Sequence, residues 1–212
     1  MADRRSSRQG RPWGRADRQA AENRVRIIGG SLRGRRLLFS GDPRTRPMKD
    51  RVRQAVFNLL GRAVEATHAL DLFAGTGALG LEAISRGAAR ATLIEQHFPT
   101  ARIIEQNVAA LELTDRCHVA AGSVFIWARQ QRWTEWDPRP WTVFCSPPYD
   151  FYVTRRDEML TLLRTLHERA PVGSWFVVES DARFEFQNLD DLGVWDVRTY
   201  PPAVIGIHRC ER

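Results

Sequence analysis

A glycine-rich turn between a short apolar strand and a helix is the feature that most constrains this fold. Residues 68–73, HALDLF, are predicted to form the strand, and residues 77–87 are predicted to form the helix. The glycines between and within these elements have the spacing GxGxxG: Gly75, Gly77 and Gly80. Such glycines permit a tight turn and a close approach of the backbone to a ligand. The pattern is typical of the first crossover in a parallel α/β sheet.

Apolar strands and amphipathic helices alternate along the rest of the chain. Further strands are predicted over residues 91–95, 117–121, 141–146 and 174–180. Further helices are predicted over residues 99–113, 123–132 and 155–170. The last two extended runs, 194–200 and 203–209, are joined by two prolines and predict a hairpin. The fold class is therefore α/β: a Rossmann-like, mostly parallel doubly wound sheet with a C-terminal antiparallel hairpin.

Charge is distributed unevenly along the 212 residues, although the net charge is only +7. Residues 1–53 carry 16 of the 32 basic side chains but only 5 of the 25 acidic ones. We expect residues 1–23 to be a disordered basic tail, because they hold almost no large apolar side chains. Residues 24–61 predict a basic β-hairpin and helix extension, and residues 62–212 the main domain. A basic segment on an acidic body indicates a polyanionic partner.

The helix of this extension is predicted from an apolar stripe that ends at Gly61. The stripe consists of Val52, Val56, Leu59 and Leu60. The spacing places Arg51 and Arg53 away from this stripe.

Several classes of protein are disfavoured by composition. Three cysteines without a CxxC pair and five scattered histidines support neither a disulfide framework nor a metal site. There is no apolar run of 18 residues and no apolar segment behind the basic N-terminus. We therefore expect a cytoplasmic protein without metal, and a monomer.

The strand ends predict a nucleoside site. Glu95 closes the strand that follows the glycine-rich helix, where its carboxylate can accept hydrogen bonds from two ribose hydroxyls. These features alone are compatible with a dinucleotide or with S-adenosylmethionine.

A second motif, Ser146-Pro147-Pro148-Tyr149, discriminates between these ligands. Two prolines make the chain leave the fourth strand as a stiff loop with carbonyl groups available to a ligand, and Tyr149 offers a ring face to a planar base. Acceptors at Ser146 Oγ and the Pro147 carbonyl can bind the N–H groups of an exocyclic amine and orient its lone pair toward a methyl donor. We therefore predict that all four motif residues are catalytic.

Five segments together resemble the RsmD-type methyltransferases, which methylate a guanine N2 amine in 16S ribosomal RNA. They are RIIGGSLRGRRL (26–37), RPMKDRVRQAVFNLL (46–60), LDLFAGTGALGLEAISRGA (70–88), ATLIEQ (91–96) and SPPY. The resemblance implies S-adenosylmethionine bound by Asp71, Phe73, Ala74, Gly75, Thr76, Gly77, Glu95, Gln96, Ser123, Val124 and Ser146. It also implies a platform for 16S rRNA, or for a small-subunit assembly intermediate, built from Arg26, Arg33, Arg35, Arg36, Arg46, Lys49, Arg51 and Arg53.

Three positions depart from the usual pattern of that family. Ser146 and Gly122-Ser123 stand where the family usually has Asp, and Met48 stands where it usually has Thr. Two alternatives therefore stay open: a DNA amino-methyltransferase acting on cytosine N4 or adenine N6, and a non-catalytic rRNA-binding or assembly factor. A nicotinamide-dependent oxidoreductase fits the glycines and Glu95 but leaves the SPPY motif unexplained.

Overall fold

The computed structural model describes residues 25–39, 41, 47–130 and 137–211. Its sheet has seven strands in the order β3-β2-β1-β4-β5-β7-β6. In chain order the strands are β1 His68–Asp71, β2 Arg90–Glu95, β3 Cys117–Ala121, β4 Trp141–Cys145, β5 Trp175–Ser180, β6 Asp196–Tyr200 and β7 Ala203–Arg209. The first five strands are parallel, whereas β7 is antiparallel to both β5 and β6. The predicted fold class is confirmed.

One α-helix precedes β1, and the other α-helices of the described residues connect the parallel strands. They are α1 Asp50–Leu60, α2 Ala78–Ser85, α3 Phe98–Ala110, α4 Val124–Gln130, α5 Phe151–Thr154 and α6 Arg156–Arg169. Two 3₁₀ helices, Gly61–Val64 and Phe186–Leu192, and the short helix α5 were not predicted from the sequence. Each is a single short stretch whose few residues carry no periodic signal.

The two faces of the sheet are covered by separate apolar layers. On β4, Val143 and Cys145 belong to one buried cluster, while the intervening Phe144 belongs to the other. This alternation is the two-residue period of a strand. Helix α6 packs against the first layer, and the second layer includes apolar residues of α1, α2 and α3. Among the described residues, no helix is long and apolar enough to cross a membrane.

The N-terminal hairpin is less regular than predicted. Residues 25–39 form a turn with one antiparallel bridge, between Arg26 and Arg36, in place of two strands. Three backbone hydrogen bonds link Val25 or Ile27 to residues 34–37, and two more close the turn itself. Val25 and Ile27 are buried in the same cluster as α1 and α2, so the hairpin shares the core of the body.

Helix α2 holds this hairpin through polar side chains. Glu82, which is fully buried, accepts a hydrogen bond from the Ile28 N–H at 2.7 Å. Ser85 Oγ accepts from the Leu32 N–H at 2.9 Å and donates to the Gly29 carbonyl at 2.5 Å. The hairpin is thus attached to the helix that begins directly after the glycine-rich turn.

The expectation that Arg53 lies away from the apolar stripe is wrong. Its side chain is fully buried, and Nη2 donates to the Arg26 carbonyl at 2.6 Å and to Asp50 Oδ1 at 2.9 Å. Burial lowers the pKa of Arg53, while Asp50 and Glu82 oppose that shift. Positions 56, 57 and 60 lie three, four and seven residues after Arg53 and are all buried, so helical spacing places Arg53 on the core face. The buried stripe also contains Phe57, while Leu59 is only half-buried.

Parts of the predicted extension lie outside the described residues. These are the proposed tail, residues 1–23, and Arg46. The last two residues of the predicted helix 123–132 also lie outside them.

Alanine substitution at two glycines with positive φ tests the attachment of the hairpin to α2. Gly30 and Gly34 have φ values of +73° and +85°, so alanine is strained at either position. A Cβ at Gly30 would lie 1.9 Å from the Ser85 carbonyl oxygen, whereas at Gly34 it would meet nothing within 4 Å. We expect Gly34→Ala to lower the free energy of unfolding by about 1 kcal/mol and Gly30→Ala by roughly 3 kcal/mol, measured by urea denaturation. Equal losses would show that the hairpin does not depend on this contact.

Candidate functional site

A crevice opens at the topological switch point of the sheet, where the strand order reverses. From β1 the chain proceeds to β2 and β3 on one side, and from β4 to β5 on the other, so β1 and β4 are neighbours at the switch point. Ligands of open parallel sheets bind at the carboxyl ends of strands at such a point. Here the crevice has a volume of about 660 Å³ and includes residues that follow β1, β2, β4 and β5.

The glycine-rich turn reaches this crevice through Gly75. Gly75 and Gly77 have φ values of 54° and 74°, which glycine adopts without strain. A Cβ at Gly80 would lie 3.0 Å from the Leu93 side chain, so the third glycine allows α2 to pack closely on β2. Each glycine of the motif therefore has a physical role that the spacing predicted.

Asp71 supports this turn from below. It ends β1 with 1% of its surface exposed, and Oδ2 accepts the Gly80 N–H at 3.0 Å near the start of α2. Burial raises the pKa of Asp71 to about 7; the Gly80 hydrogen bond opposes this and Glu95 adds to it. Asp71 does not line the crevice and supports the turn through this bond, while its contact with a cofactor stays a prediction.

Glu95 occupies the predicted ribose position at the end of β2. Its Oε2 accepts the Gly75 N–H at 2.9 Å and its Oε1 accepts the His97 N–H at 2.8 Å. A carboxylate can accept about four hydrogen bonds, so each oxygen retains capacity for a further donor. Glu95 therefore connects β2 to the glycine-rich turn while lining the crevice.

An apolar slot adjoins Glu95. Its crevice-lining side chains are Leu72, Phe73, Ile94 and Val124. The Phe73 ring is fixed by edge contacts with Phe125 and Phe151, at centroid distances of 6.2 and 6.0 Å. Such a slot beside a strand-end carboxylate can hold a flat heterocycle attached to a ribose.

The SPPY motif leaves β4 on the opposite wall. The Pro148 carbonyl accepts the Phe151 N–H at 2.9 Å and so belongs to the turn that starts α5. The expectation that both proline carbonyls are available to a ligand is therefore wrong for Pro148. In the described part of the chain, the Pro147 carbonyl has no such commitment. All four motif residues line the crevice.

Glu179 is a functional candidate whose partners could not be predicted from sequence. It lies near the end of β5, is 7% exposed and lines the crevice. Tyr149 OH donates to Glu179 Oε1 at 2.8 Å, and Ser146 Oγ donates to Glu179 Oε2. The only available signal was its position at a strand end beside β4, since 30 residues separate it from Tyr149.

The rim contains further residues that sequence reasoning missed. Asp150 Oδ1 and Arg183 Nη1 form an ion pair at 2.8 Å, and the β6–β7 hairpin contributes Tyr200 and Ala203. The N-terminal segment contributes Pro47, Met48, Lys49 and Val52. Segments distant in sequence therefore enclose the opening.

The predicted cofactor residues fall into two groups. Those that line the crevice are Phe73, Gly75, Glu95, Gln96, Val124 and Ser146. Those that do not line it are Asp71, Ala74, Thr76, Gly77 and Ser123. Within the second group, Ser123 is half-buried and the other four residues are buried.

Of the predicted RNA-contacting residues that the structure describes, all but Arg53 are exposed. The exposed ones are Arg26, Arg33, Arg35, Arg36, Lys49 and Arg51. Arg26, Arg33 and Arg51 surround one shallow depression of about 330 Å³ beside α1. Lys49 lies on the rim of the main crevice, which connects the basic surface to the site.

Two other groups of reactive side chains have structural explanations. Cys145 is buried beside Tyr152, and burial raises the pKa of its thiol to about 12, which disfavours a nucleophilic thiolate. His167, His208 and Cys210 place their ligating atoms within 4.8 Å of one another, which their scattered sequence positions did not predict. A hydrogen bond of 3.1 Å between the two Nε2 atoms accounts for the approach of the histidines.

Comparisons with known proteins agree with this architecture. YlbH of Bacillus subtilis is 29% identical over 191 residues, covering 87% of this chain and 98% of that protein. Ribosomal RNA small subunit methyltransferase D of Escherichia coli is 46% identical over 93 residues, which span 44% of this chain and 47% of that protein. The solved structure of yhhF from Escherichia coli is 30% identical with a TM-score of 0.69, and covers 89% of this chain and 98% of that one.

A family model also matches most of the chain. The match extends over residues 25–205, and thus contains the hairpin, the glycine-rich turn and the SPPY motif. Together with the relatives, it confirms the resemblance to RsmD-type proteins. The chain belongs to the family described as Conserved hypothetical protein 95.

Proposed function

We propose that this protein transfers a methyl group from S-adenosylmethionine to the N2 amine of a guanine in 16S ribosomal RNA. The observation that carries the proposal is one crevice with a ribose-binding carboxylate, Glu95, on one wall and the SPPY motif on the other. The name of the Escherichia coli relative supports small-subunit rRNA as the substrate.

The crevice fits S-adenosylmethionine by the chemistry of its lining. Glu95 would accept from the ribose hydroxyls, the slot beside Phe73 and Val124 would hold the adenine, and the backbone at Gly75 would accommodate the amino acid part. When bound, the cofactor supplies an electrophilic methyl group.

The SPPY wall fits an exocyclic amine. The amine of guanine is a weak nucleophile because its lone pair is delocalised into the ring. Ser146 Oγ and the Pro147 carbonyl would accept its two N–H groups and thereby orient the lone pair, while the Tyr149 ring would stack on the base. Because this amine is paired or stacked in a helix, the target guanine must be turned out of its RNA to enter the crevice.

The basic surface beside the crevice supports a polyanionic substrate. Arg26, Arg33 and Arg51 surround the depression beside α1, and Lys49 continues this charge to the crevice rim. Arginine and lysine on such a surface would contact phosphates and position the RNA without reading its sequence.

The direct test is to incubate the protein with methyl-labelled S-adenosylmethionine and either 16S rRNA or small-subunit assembly intermediates. Nuclease digestion and mass spectrometry then locate the label. We expect it on guanine N2. Label on DNA, or on cytosine N4, would contradict the substrate assignment, and a failure to bind S-adenosylhomocysteine in calorimetry would favour a non-catalytic RNA-binding protein.

The two walls are expected to separate binding from turnover. Glu95→Ala removes the acceptor for the ribose, so the Kd for S-adenosylhomocysteine should rise about 100-fold. It also leaves the Gly75 and His97 N–H groups without this acceptor, so the free energy of unfolding should fall by about 1–3 kcal/mol. Tyr149→Ala removes base stacking worth about 1–3 kcal/mol, so kcat/KM for RNA should fall by about 10- to 100-fold while cofactor affinity is retained. Calorimetry and single-turnover methylation measure the two effects, and the reverse pattern would refute both roles.

RNA affinity should depend on salt through the basic hairpin. The double variant Arg33→Gln/Arg36→Gln should reduce the slope of log K against log salt by about 1.5, since each lost phosphate contact contributes 0.7–0.9. Arg62→Gln is the matched control, because Arg62 is exposed but paired with Glu65 at 3.0 Å. Filter binding at several salt concentrations measures the slopes, and equal slopes for both variants would place the RNA elsewhere.

A further inference from the structure

The carboxylate of Glu179 bridges the two side chains of the SPPY motif that carry hydroxyl groups. It accepts from Tyr149 OH at 2.8 Å and from Ser146 Oγ. We propose that Glu179 is a positioning residue for methyl transfer, supplying through Ser146 the negative charge that the SPPY motif itself lacks. The inference rests on the proposed function and identifies how the same site handles the charge of the reacting amine.

The charge of Glu179 is available because no cation in the described part of the chain balances it. Glu179 is 7% exposed, yet no Lys, Arg or His nitrogen among the described residues forms an ion pair with it. A buried carboxylate normally requires a cation or full hydrogen bonding, because transfer from water costs several kcal/mol. Two hydroxyl donors stabilise this carboxylate without neutralising it.

The other carboxylates that line the crevice have partners outside the SPPY motif. Glu95 accepts hydrogen bonds from the backbone N–H groups of Gly75 and His97. Asp150 is paired with Arg183 at 2.8 Å on the exposed rim. Only Glu179 therefore combines burial, a position beside the SPPY motif and an unbalanced charge among the described acidic residues of the crevice.

The two hydrogen bonds to Glu179 determine which atoms of Ser146 and Tyr149 are available to a bound amine. Because the Ser146 hydroxyl hydrogen is directed to Glu179, the lone pairs of Ser146 Oγ remain for an N–H donor. The same holds for Tyr149, whose hydroxyl bond to Glu179 fixes the orientation of the ring. Glu179 thus orients both the acceptor for the amine and the surface on which the base would stack.

The proposed step balances in charge and atoms. The nitrogen lone pair forms the new N–C bond as the methyl C–S bond breaks, and the electron pair of that bond remains on sulfur. The nitrogen becomes positively charged, and its proton passes to Ser146 Oγ while the hydroxyl proton of Ser146 passes to Glu179. A carboxylate one hydroxyl away stabilises the developing positive charge, and release of its proton to solvent restores the site.

A purely structural reading is that Glu179 only anchors the SPPY loop. Glu179→Gln distinguishes the two readings, because the amide keeps the size of the side chain and can accept one hydrogen bond while losing the charge. Glu105→Gln, on the exposed surface of α3, is the matched control for the same chemical change.

Methylation of guanine N2 in small-subunit RNA is measured for both variants and for wild type. We expect Glu179→Gln to lower kcat by about 100-fold. KM for RNA, Kd for S-adenosylhomocysteine and Tm should each stay close to wild type, and Glu105→Gln should leave all four unchanged. Unchanged kcat, or a fall in kcat accompanied by losses in Tm and cofactor affinity, would overturn the proposal in favour of an anchor.

A rescue experiment tests the charge itself. Ser146→Asp alone should reduce activity, because two adjacent carboxylates repel and one takes up a proton. In the double variant Ser146→Asp/Glu179→Gln a single carboxylate is restored beside the amine, so kcat should exceed that of Glu179→Gln by about tenfold. A double variant no more active than Glu179→Gln would contradict the charge argument. If wild type itself does not methylate guanine N2, the proposed function fails before either variant is compared.

Discussion

The order of the strands is the constraint on which the site depends. A strand followed by a crossover helix and a parallel strand is almost always right-handed, so a sheet extended from its centre in both directions must place helices on both faces. Between β1 and β4 the connections leave in opposite directions, and a crevice remains where no helix covers the strand ends. Glu95, the SPPY motif and Glu179 meet there because they lie at the carboxyl ends of β2, β4 and β5.

Buried polar contacts extend this arrangement to the basic N-terminal segment. Glu82 is fully buried and accepts from Ile28 of the hairpin, while Arg86 donates to its other oxygen at 2.8 Å. Because Glu82 belongs to α2, the element that positions the hairpin also begins at the glycine-rich turn. The proposed RNA-binding surface is therefore held in a fixed relation to the crevice by packed and hydrogen-bonded residues.

The elements that depend on short-range sequence patterns could be predicted from the sequence. The glycine spacing and alternating apolar runs predicted the parallel sheet and its C-terminal hairpin, because each depends on short-range periodicity. Partners across the sheet were not predictable: the contact between Glu179 and Ser146 joins residues 33 positions apart on neighbouring strands. Arg53 lies on the core face because of its helical spacing, although its side chain is charged. Asp50, Glu82 and the Arg26 carbonyl stabilise this burial, and none of these contacts is visible in the local sequence pattern.

In the proposed function, one crevice brings a methyl donor to a guanine amine of small-subunit rRNA. Deleting the gene in the host organism tests this in the cell: N2-methylguanosine is quantified along 16S rRNA by mass spectrometry, with the wild-type gene restored as the reference. We expect one N2-methylguanosine to disappear on deletion and to return on complementation. An unchanged set of N2-methylguanosines in the deletion strain would contradict it.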